Sequence, residues 1–299
     1  MESILITGGS GLLGGNLALM ASSLWKTYVT YHSSAISNKR IGVSLHLDIK
    51  DKDEVERIIY EISPKIIIHT AAITNFNFCA EHQKATWEVN VKGTENIALA
   101  AEQVKARLIY ISTDLVFKGD KRFYSEEDTP NPICYYGKTK LEGEKIVSSL
   151  SSNYCIARTS LIYGWSVNSS KCFTEFIISN LKNKKEVRLF MDEYRTPIYI
   201  KNLCEILLEL AKIENLQGIY HICGSERLSR FEFGLKLSEI FGFNKEFIIP
   251  ISVDDFSFKD ERPKDCSMRN DKAMSVLKTK FWNIEEGLKD MWLSCKHGT

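Results

Sequence analysis

Residues 7–14 read Thr7-Gly8-Gly9-Ser10-Gly11-Leu12-Leu13-Gly14 and lie between a short apolar run (residues 3–7, SILIT) and a segment of helical character (residues 12–24). A strand, a glycine-rich turn and a helix in this order are typical of the βα unit that binds dinucleotides. One glycine makes the tight turn, one lets the backbone approach the pyrophosphate, and one lets the helix pack closely on the strand. The helix N-terminus offers N–H donors and a positive dipole end to the phosphates. The stretch therefore predicts a bound dinucleotide.

Strand and helix patterns alternate from this unit to about residue 160. Apolar or β-branched runs predict strands, and apolar residues at helical spacing predict helices. The predicted strands are residues 3–7, 27–31, 43–47, 65–69, 107–112 and 154–158, and the predicted helices are residues 12–24, 51–62, 86–103 and 136–150. Such alternation implies a parallel sheet with helices on both faces, and right-handed crossovers make the sheet doubly wound.

The alternation of strand and helix patterns becomes less regular after residue 159, although helical patterns recur. They lie near residues 171–183, 202–213, 229–241 and 285–292. We therefore predict an α/β fold with a doubly wound parallel (Rossmann) sheet and a small C-terminal α/β lobe that binds the substrate. Residues 1–160 would form the NAD(P)-binding domain, with its sheet completed by later segments, and residues 161–299 would form mainly the substrate-binding lobe.

The composition argues against several classes of protein. A formal net charge of +1 gives no strong attraction to nucleic acid or to an anionic membrane. No run of about 18 apolar residues is present, and the first residues lack the features of a signal peptide, so we predict a cytoplasmic protein without a membrane span. The eight cysteines include no C-x-x-C pair and no histidine at zinc-ligand spacing, which predicts reduced thiols and no metal site.

The end of the second predicted strand bears on the choice of dinucleotide. An Asp or Glu at that place binds the 2′-hydroxyl of NAD, but residues 31–34 (YHSS) contain no acid. Polar and basic residues there could instead surround the 2′-phosphate of NADP, and these candidates are His32, Ser33, Ser34, Lys39 and Arg40. NADP(H) is therefore favoured and NAD(H) stays open, since Lys39 and Arg40 can equally be solvated loop charges. Asp48 and Ile49 follow the third strand and are expected at the adenine edge.

A second group of residues suits redox chemistry at a carbonyl. Tyr136 and Lys140 stand at positions i and i+4 of a predicted helix and therefore share one face. An unperturbed tyrosine has a pKa of about 10, and a nearby ammonium lowers that pKa by stabilising the phenolate. Thr113 follows a predicted strand, at the edge of the sheet where ligands bind. We predict that Tyr136 donates a proton to a carbonyl oxygen as hydride arrives, while Thr113 orients the carbonyl.

Together these motifs resemble those of the extended short-chain dehydrogenase/reductases, over essentially the whole chain. The matching stretches are residues 7–14, Asp48-Ile49, His69-Thr70-Ala71-Ala72, Asn90, Ser112-Thr113-Asp114 and residues 136–140. The resemblance implies that Thr70, Ala71 and Ala72 lie beside the cofactor. It also implies that Asn90 braces the central helix and that Lys140 holds the nicotinamide ribose.

Within that family the chain is most similar to the dTDP-4-dehydrorhamnose reductases. The similar stretches are residues 112–119 (STDLVFKG), 136–144 (YGKTKLEGE), 158–164 (RTSLIYG), 195–197 (RTP), 262–263 (RP) and 267–268 (SM). This likeness implies reduction of a 4-keto-6-deoxy nucleotide sugar at C4, and a homodimer is a further expectation. The chain departs from the family pattern at Leu161, where the family usually has Trp, and in the loops at residues 75–81 and 192–197.

Four residues are candidates for contact with the substrate, namely Thr74, Thr113, Arg195 and Arg262. A guanidinium pairs with phosphate oxygens through two parallel hydrogen bonds, so Arg195 and Arg262 could hold the nucleotide diphosphate. Either arginine could equally form a structural salt bridge. His69 ends a predicted strand and is expected to be a packed residue, not a base.

Three functions are compatible with the sequence. The leading one is an NADP(H)-preferring nucleotide-sugar 4-reductase. The second is an epimerase, or a bifunctional epimerase-reductase, that would retain its cofactor tightly. The third is a non-catalytic dinucleotide-binding regulatory subunit, because the β subunit of methionine adenosyltransferase shares this scaffold. The intact set of Thr113, Tyr136 and Lys140 argues against the third function.

Overall fold

The protein is built on one parallel sheet. The structure is a computed structural model that describes residues 1–36, 38–168 and 172–297, without the side chains of Lys39, Lys296 and His297. Its strands are β1 (Ser3–Thr7), β2 (Lys26–Tyr31), β3 (Val43–His46), β4 (Ile66–His69), β5 (Arg107–Thr113), β6 (Tyr154–Thr159), β7 (Ile162–Tyr163), β8 (Val187–Phe190), β9 (Tyr194–Arg195), β10 (Ile198–Tyr199), β11 (Gly218–Ile222), β12 (Leu228–Ser229) and β13 (Ile248–Ile251). The seven-stranded central sheet has the order β3-β2-β1-β4-β5-β6-β11, with all neighbours parallel. The predicted doubly wound α/β sheet is confirmed.

Helices cover both faces of this sheet. They are α1 (Leu12–Ala21), α2 (Lys52–Ile62), α3 (Phe76–Glu81), α4 (Gln83–Trp87), α5 (Gly93–Gln103), α6 (Tyr135–Leu150), α7 (Phe173–Lys182), α8 (Ile200–Lys212), α9 (Arg230–Phe241), α10 (Asp271–Val276) and α11 (Ile284–His297). A π-helical turn (Glu88–Lys92) joins α4 to α5. The long helix predicted at residues 86–103 is therefore interrupted by a wider turn.

Side chains of the central strands alternate between two apolar cores. Ile4 and Ile6 of β1 pack in one core with side chains of α1 and α8, whereas Leu5 packs in the other with side chains of α2 and α5. All four residues of β4 are buried. A strand that is buried on both faces needs a continuous apolar run, which explains why apolar and polar residues do not alternate along these segments.

Local sequence sets the ends of α2. The Asp51 side chain accepts a hydrogen bond from the backbone N–H of Glu54 at 3.0 Å and caps the first turn. Val55, Ile58 and Ile59 are buried, as their helical spacing predicts. The helix ends at Ser63, whose φ of 43° is left-handed.

The residues after β6 add a strand and a helix to the main sheet and its helix layer, and they also form a smaller lobe. Strand β11 pairs with β6, and α8 packs on α1. The division of the chain at residue 160 stays a prediction. The lobe contains short pairs, β7 with β10, β9 with β12 and β8 with β13. The sequence did not predict the two-residue strands, because a pair of residues shows no periodicity. Lys171, where a helix was predicted to begin, lies outside the described residues.

Two further features concern the described part of the chain. No helix there is both long and apolar enough to cross a bilayer, and no three His, Cys, Asp or Glu residues are grouped to hold a metal ion. The buried cysteines are free thiols, namely Cys79, Cys134, Cys155, Cys204, Cys223 and Cys266.

Candidate active site

A cavity of about 730 Å³ opens at the carboxyl ends of β1, β4 and β5. The chain leaves β1 for β2 on one side and later returns to β4 on the other, and such a switch point is where open α/β sheets bind ligands. The cavity is lined by most of the predicted site residues, which are Gly8, Ser10, Gly11, Leu12, Leu13, Gly14, His32, Ser33, Asp48, Ile49, Thr70, Ala71, Ala72, Thr74, Thr113, Tyr136, Lys140, Arg195 and Arg262. Ser34 and Arg40 are not part of its lining, and the side chain of Lys39 lies outside the description.

The glycine loop has the geometry that a phosphate site requires. Gly8 has a φ of 72°, and a Cβ atom there would lie 2.8 Å from the backbone of Ala71. A Cβ atom on Gly14 would lie 2.3 Å from the carbonyl oxygen of Gly8, so both positions require glycine. Gly11 precedes α1, whose first turn has neither an acidic residue nor a side-chain cap. The N-terminus of α1 therefore presents free N–H groups to the cavity, and these residues fit a dinucleotide pyrophosphate.

A buried chain of hydrogen bonds ties this loop to α5. The Thr94 hydroxyl donates to the carbonyl oxygen of Asn90 at 2.7 Å, so it accepts from Nε2 of His69 at 3.1 Å. Nδ1 of His69 then accepts from the hydroxyl of Thr7 at 2.7 Å. Burial and, to a lesser extent, the charge of Lys140 lower the pKa of His69 to about 3. His69 is thus a neutral, packed residue, which agrees with the prediction that it is not a base.

Asn90 connects the loop after β4 to the helix that carries Tyr136. Its side chain accepts from the N–H of Ile73 at 2.8 Å, and donates to the carbonyl oxygen of Ile73 at 3.0 Å and to the Thr139 hydroxyl at 3.1 Å. Thr139 donates in turn to the carbonyl oxygen of Tyr136 at 2.8 Å. Asn90 lies in the π-helical turn, a feature that often marks functional sites. The first turn of α6 is therefore fixed against the wall of the cavity.

Tyr136 faces the cavity as a neutral phenol. Burial raises the pKa of Tyr136 well above its usual range, the nearby Cys79 and Asp114 raise it further, and a hydrogen bond with Thr113 opposes them. The structure thus corrects the prediction that the pKa of Tyr136 is lowered, because burial, which disfavours the charged phenolate, is the largest effect on this pKa and raises it. A protonated phenol is the state that a proton donor needs.

Lys140 is buried beside Tyr136 on α6. Its Nζ lies 4.0 Å from the ring centroid of Tyr110. Burial lowers the pKa of Lys140 to about 7, while the Glu144 carboxylate acts to raise it. The charged fraction of Lys140 consequently falls as the pH rises through neutrality.

Thr113 is held at the end of β5 by Asp114, an acid to which the sequence analysis gave no role of its own. The Thr113 hydroxyl donates to Oδ1 of Asp114 at 3.1 Å and accepts from the N–H of Leu115 at 3.2 Å. The second Asp114 oxygen accepts from the hydroxyl of Ser160 at 2.7 Å. Asp114 and Ser160 both line the cavity, so they fix the place of the Thr113 hydroxyl in its wall.

The opposite end of the cavity lies between β2 and β3. His32 and Ser33 line it at the end of β2, as does Asp48 after β3. Nε2 of His32 lies 3.7 Å from Oδ2 of Asp48, so an acid does stand near the end of β2, supplied by the next strand. Burial works to raise the pKa of Asp48, but hydrogen bonds and charge from Lys50 outweigh it and lower that pKa. Asp48 is therefore an ionised acceptor at neutral pH.

Glu193 lies among three arginines that line the same cavity. Its carboxylate lies 2.9 Å from Nη2 of Arg195, 3.3 Å from Nη2 of Arg262 and 3.5 Å from Nη2 of Arg230. Burial alone would raise the pKa of Glu193, but the three guanidinium charges bring that pKa to about 2. The Nε atom of Arg195 also lies 3.6 Å from Asp114. The cluster therefore holds three guanidinium groups and two carboxyl groups.

The arginines of this cluster differ in their freedom to bind a ligand. Arg195 has a side-chain exposure of 4% and also donates to the carbonyl oxygens of Tyr194 and Pro263, which fits the alternative of a structural salt bridge. Arg230 and Arg262 are 18% and 17% exposed and line the cavity. Among the described residues, the buried Nε atom of Arg262 has no hydrogen-bond partner.

The sequence analysis missed Glu193 and Arg230. They are far apart in the chain and meet because β12 pairs antiparallel with β9, with Leu228 opposite Arg195 and Ser229 opposite Tyr194. Arg230 directly follows β12 and so arrives beside Glu193. Neither two-residue strand leaves a periodic pattern that could have predicted this contact.

Comparison with known proteins identifies the family to which the chain belongs. The family model described as "RmlD substrate binding domain" matches residues 1–296. The dTDP-4-dehydrorhamnose reductase of Aggregatibacter actinomycetemcomitans is 32% identical over 79% of this chain and 78% of its own length. The dTDP-4-dehydrorhamnose reductase of Bacillus anthracis, solved in complex with NADP, superposes with a TM-score of 0.85 at 29% identity and covers 98% of this chain and 99% of its own.

A relative with a different name matches as extensively. Methionine adenosyltransferase 2 subunit beta of Bos taurus is 29% identical over 88% of this chain and 80% of its own length. Proteins with either of these two names are therefore similar to most of this chain. Because the family model spans nearly all of the sequence, this chain belongs to the RmlD substrate binding domain family within the extended short-chain dehydrogenase/reductases, a family of NAD(P)-dependent oxidoreductases.

Proposed function

We propose that this protein reduces the C4 carbonyl of a 4-keto-6-deoxy nucleotide sugar with hydride from NADPH. One observation carries the proposal: Thr113, Tyr136 and Lys140 line the same cavity as the glycine loop. Relatives named dTDP-4-dehydrorhamnose reductase support the substrate class, and the neighbour solved with NADP supports the cofactor.

Each catalytic residue has a separate role in this reaction. The Tyr136 phenol donates a hydrogen bond to the carbonyl oxygen of the sugar and then transfers its proton there. The Lys140 ammonium stabilises the phenolate that remains and holds the ribose of the cofactor. Bound NADPH supplies the hydride. The Thr113 hydroxyl turns from Asp114 to the same carbonyl oxygen and orients it, since a rotating hydroxyl can exchange acceptors.

The substrate diphosphate would be held by Arg230 and Arg262. Both are partly exposed to the cavity. Arg230 lies 3.5 Å from Glu193, and Nη2 of Arg262 donates to both Glu193 oxygens at 3.3 and 3.5 Å, so these contacts are long. Arg262 also stacks on Phe76, with 4.7 Å between Cζ and the ring centroid, and Phe76 lines the cavity. Planar guanidinium groups suit phosphate oxygens. Arg195 acts in this proposal by fixing Glu193.

NADP(H) stays the favoured cofactor on the evidence of β2. His32 and Ser33 reach the cavity and could contact a 2′-phosphate, whereas Asp48 could accept a hydrogen bond from the adenine amine or from a 2′-hydroxyl. Titration of the protein with NADPH and with NADH, followed by nicotinamide fluorescence, measures the preference. Tighter binding of NADH would contradict it.

The test of the reaction is an NADPH-oxidation assay against a panel of dTDP- and UDP-linked 4-keto-6-deoxy sugars. Loss of the general acid lowers rates by about 10²–10⁴-fold, so Tyr136→Phe should lose that much turnover while NADPH binding changes little. Tyr135→Phe is the matched control, because the Tyr135 hydroxyl donates to the carbonyl oxygen of Gln83 in an exposed contact away from the reacting group. Near-normal turnover in Tyr136→Phe would contradict the mechanism.

A regulatory role is the second candidate, favoured by the similarity to methionine adenosyltransferase 2 subunit beta. It predicts dinucleotide binding without turnover of any sugar in the panel, together with a stable protein complex. An epimerase would instead be purified with tightly bound NAD and would show no net consumption of NADPH. The homodimer expected from the family stays a prediction, which sedimentation would test.

A further inference from the structure

Tyr110 lies in the middle of β5, directly beneath the catalytic helix. It is fully buried, and its hydroxyl donates to the carbonyl oxygen of Lys140 at 3.4 Å. A Cβ atom at Gly143 would lie 2.1 Å from that hydroxyl, so glycine at this position makes room for the phenol. These contacts fix the plane of the Tyr110 ring against α6.

One face of this ring carries the ammonium of Lys140. Nζ lies 4.0 Å from the ring centroid, well within the distance at which a cation is attracted by the electrons of an aromatic face. The His69 ring lies on β4 beside Tyr110, with centroids 5.8 Å apart. Lys140 is therefore held over an aromatic surface that the sheet itself provides.

The other ionisable groups near Lys140 are either paired with other residues or uncharged. Glu144, one turn further along α6, accepts from Nε and Nη2 of Arg158 at 2.9 and 2.7 Å and from the Ser112 hydroxyl at 2.5 Å. His69 on β4 is neutral, because burial lowers its pKa to about 3 and Nδ1 accepts a hydrogen bond from Thr7. Tyr136 on α6 and Tyr110 on β5 are protonated phenols, since burial raises the pKa of each. Within the described residues, no carboxylate lies within salt-bridge distance of Lys140.

We propose that Tyr110 is a positioning residue for the reaction, because its ring face stabilises the protonated form of Lys140 and holds that side chain in the wall of the cavity. Water or a carboxylate stabilises the charge of a surface lysine, and for the buried ammonium of Lys140 this aromatic face takes that place. The kinetic part of this inference rests on the proposed reductase function, but the protonation of Lys140 does not.

The first test measures the protonation of Lys140 without any substrate. Labelling of the neutral amine with acetic anhydride across a pH series, quantified by peptide mass spectrometry, gives the pH at which Lys140 is half charged. Burial lowers the pKa of Lys140 to about 7, so the midpoint falls in an accessible range. Removal of the ring in Tyr110→Leu should move this midpoint down by about 1.5 pH units, the equivalent of a buried cation–π contact. Tyr110→Phe retains the ring and should keep the midpoint of the unchanged protein.

The second test is kinetic. The value of kcat should fall at alkaline pH as Lys140 loses its proton. In Tyr110→Leu this fall should occur at lower pH than in the unchanged protein, and in Tyr110→Phe it should occur at the original pH. A purely structural defect would instead lower kcat equally at every pH. If Tyr110→Leu fails to fold, Gly143→Ala replaces it, because the added Cβ displaces the phenol without removing the ring from the core.

The outcomes separate the two proposals. A shifted labelling midpoint with no sugar reduced would support the role of Tyr110 and contradict the reductase function. Identical midpoints in the Leu and Phe variants would overturn the role of Tyr110, whether or not a sugar is reduced.

Discussion

Asn90→Ala removes three hydrogen bonds that join the loop after β4 to α6. The variant leaves the N–H and carbonyl of Ile73 and the hydroxyl of Thr139 without these partners, at distances of 2.8, 3.0 and 3.1 Å in the intact protein. Asn90 is fully buried. A polar group left unsatisfied in the interior costs about 1–3 kcal/mol, so the three together should lower the free energy of unfolding by roughly 3–5 kcal/mol after partial relaxation.

Urea unfolding followed by circular dichroism measures this loss, and stopped-flow kinetics measures its consequence for catalysis. Because Thr139 bonds the backbone of Tyr136, kcat should fall by about tenfold or more while NADPH affinity changes less, as misplacement of a catalytic group by a fraction of an ångström suffices. Asn180→Ala is the control, since the side chain of Asn180 donates an exposed hydrogen bond to the carbonyl oxygen of Phe176 at 2.8 Å. Equal stability losses in the two variants would refute the reasoning.

Three further predictions follow from the site. Gly14→Ala places a Cβ atom 2.3 Å from the Gly8 carbonyl oxygen and should abolish NADPH binding in a fluorescence titration. Gly11→Ala, whose Cβ atom would lie 3.3 Å from the same oxygen, should weaken binding less. Retained binding in Gly14→Ala would contradict the assignment of this loop as the cofactor site. Arg230→Gln should raise the Kd for dTDP in calorimetry by about tenfold, the loss of one charge-assisted hydrogen bond, while the exposed Arg188→Gln should not; equal effects would point to net charge alone. Because the pKa of Glu193 is depressed to about 2, its contribution to stability is present above the ordinary value of 4.5 and is lost as the pH falls from there toward 2. The acid dependence of urea unfolding should therefore be shallower in Glu193→Gln, and an unchanged dependence would speak against the buried charge cluster.

The sequence predicted the central sheet well, because its signals are local. The apolar runs of β4 and β5 and the turn at residues 7–14 each lie within one short segment. The order of these segments then determined that Thr113, Tyr136 and Lys140 would meet at one edge of the sheet, and all three line the cavity.

The electrostatic part of the site was not predictable in the same way. The pKa of Tyr136 depends on how completely α6 is buried against β5, a property of the packed core and not of the Tyr136–Lys140 spacing. Arg230 and Glu193 meet only through the pairing of β9 with β12. Asp48 reaches His32 because β3 lies next to β2, so an acid absent from the end of one strand is supplied by its neighbour.

Transfer of deuterium tests hydride delivery to C4 most directly. The protein is incubated with a dTDP-linked 4-keto-6-deoxy sugar and with each of the two stereospecifically 4-deuterated forms of NADPH, and the product is examined by NMR. Hydride reduction predicts a single deuterium at C4 of the sugar from one of the two cofactor forms. A product without deuterium from either form, or no product while NADPH stays bound, would contradict the assignment of this cavity as a reductase site.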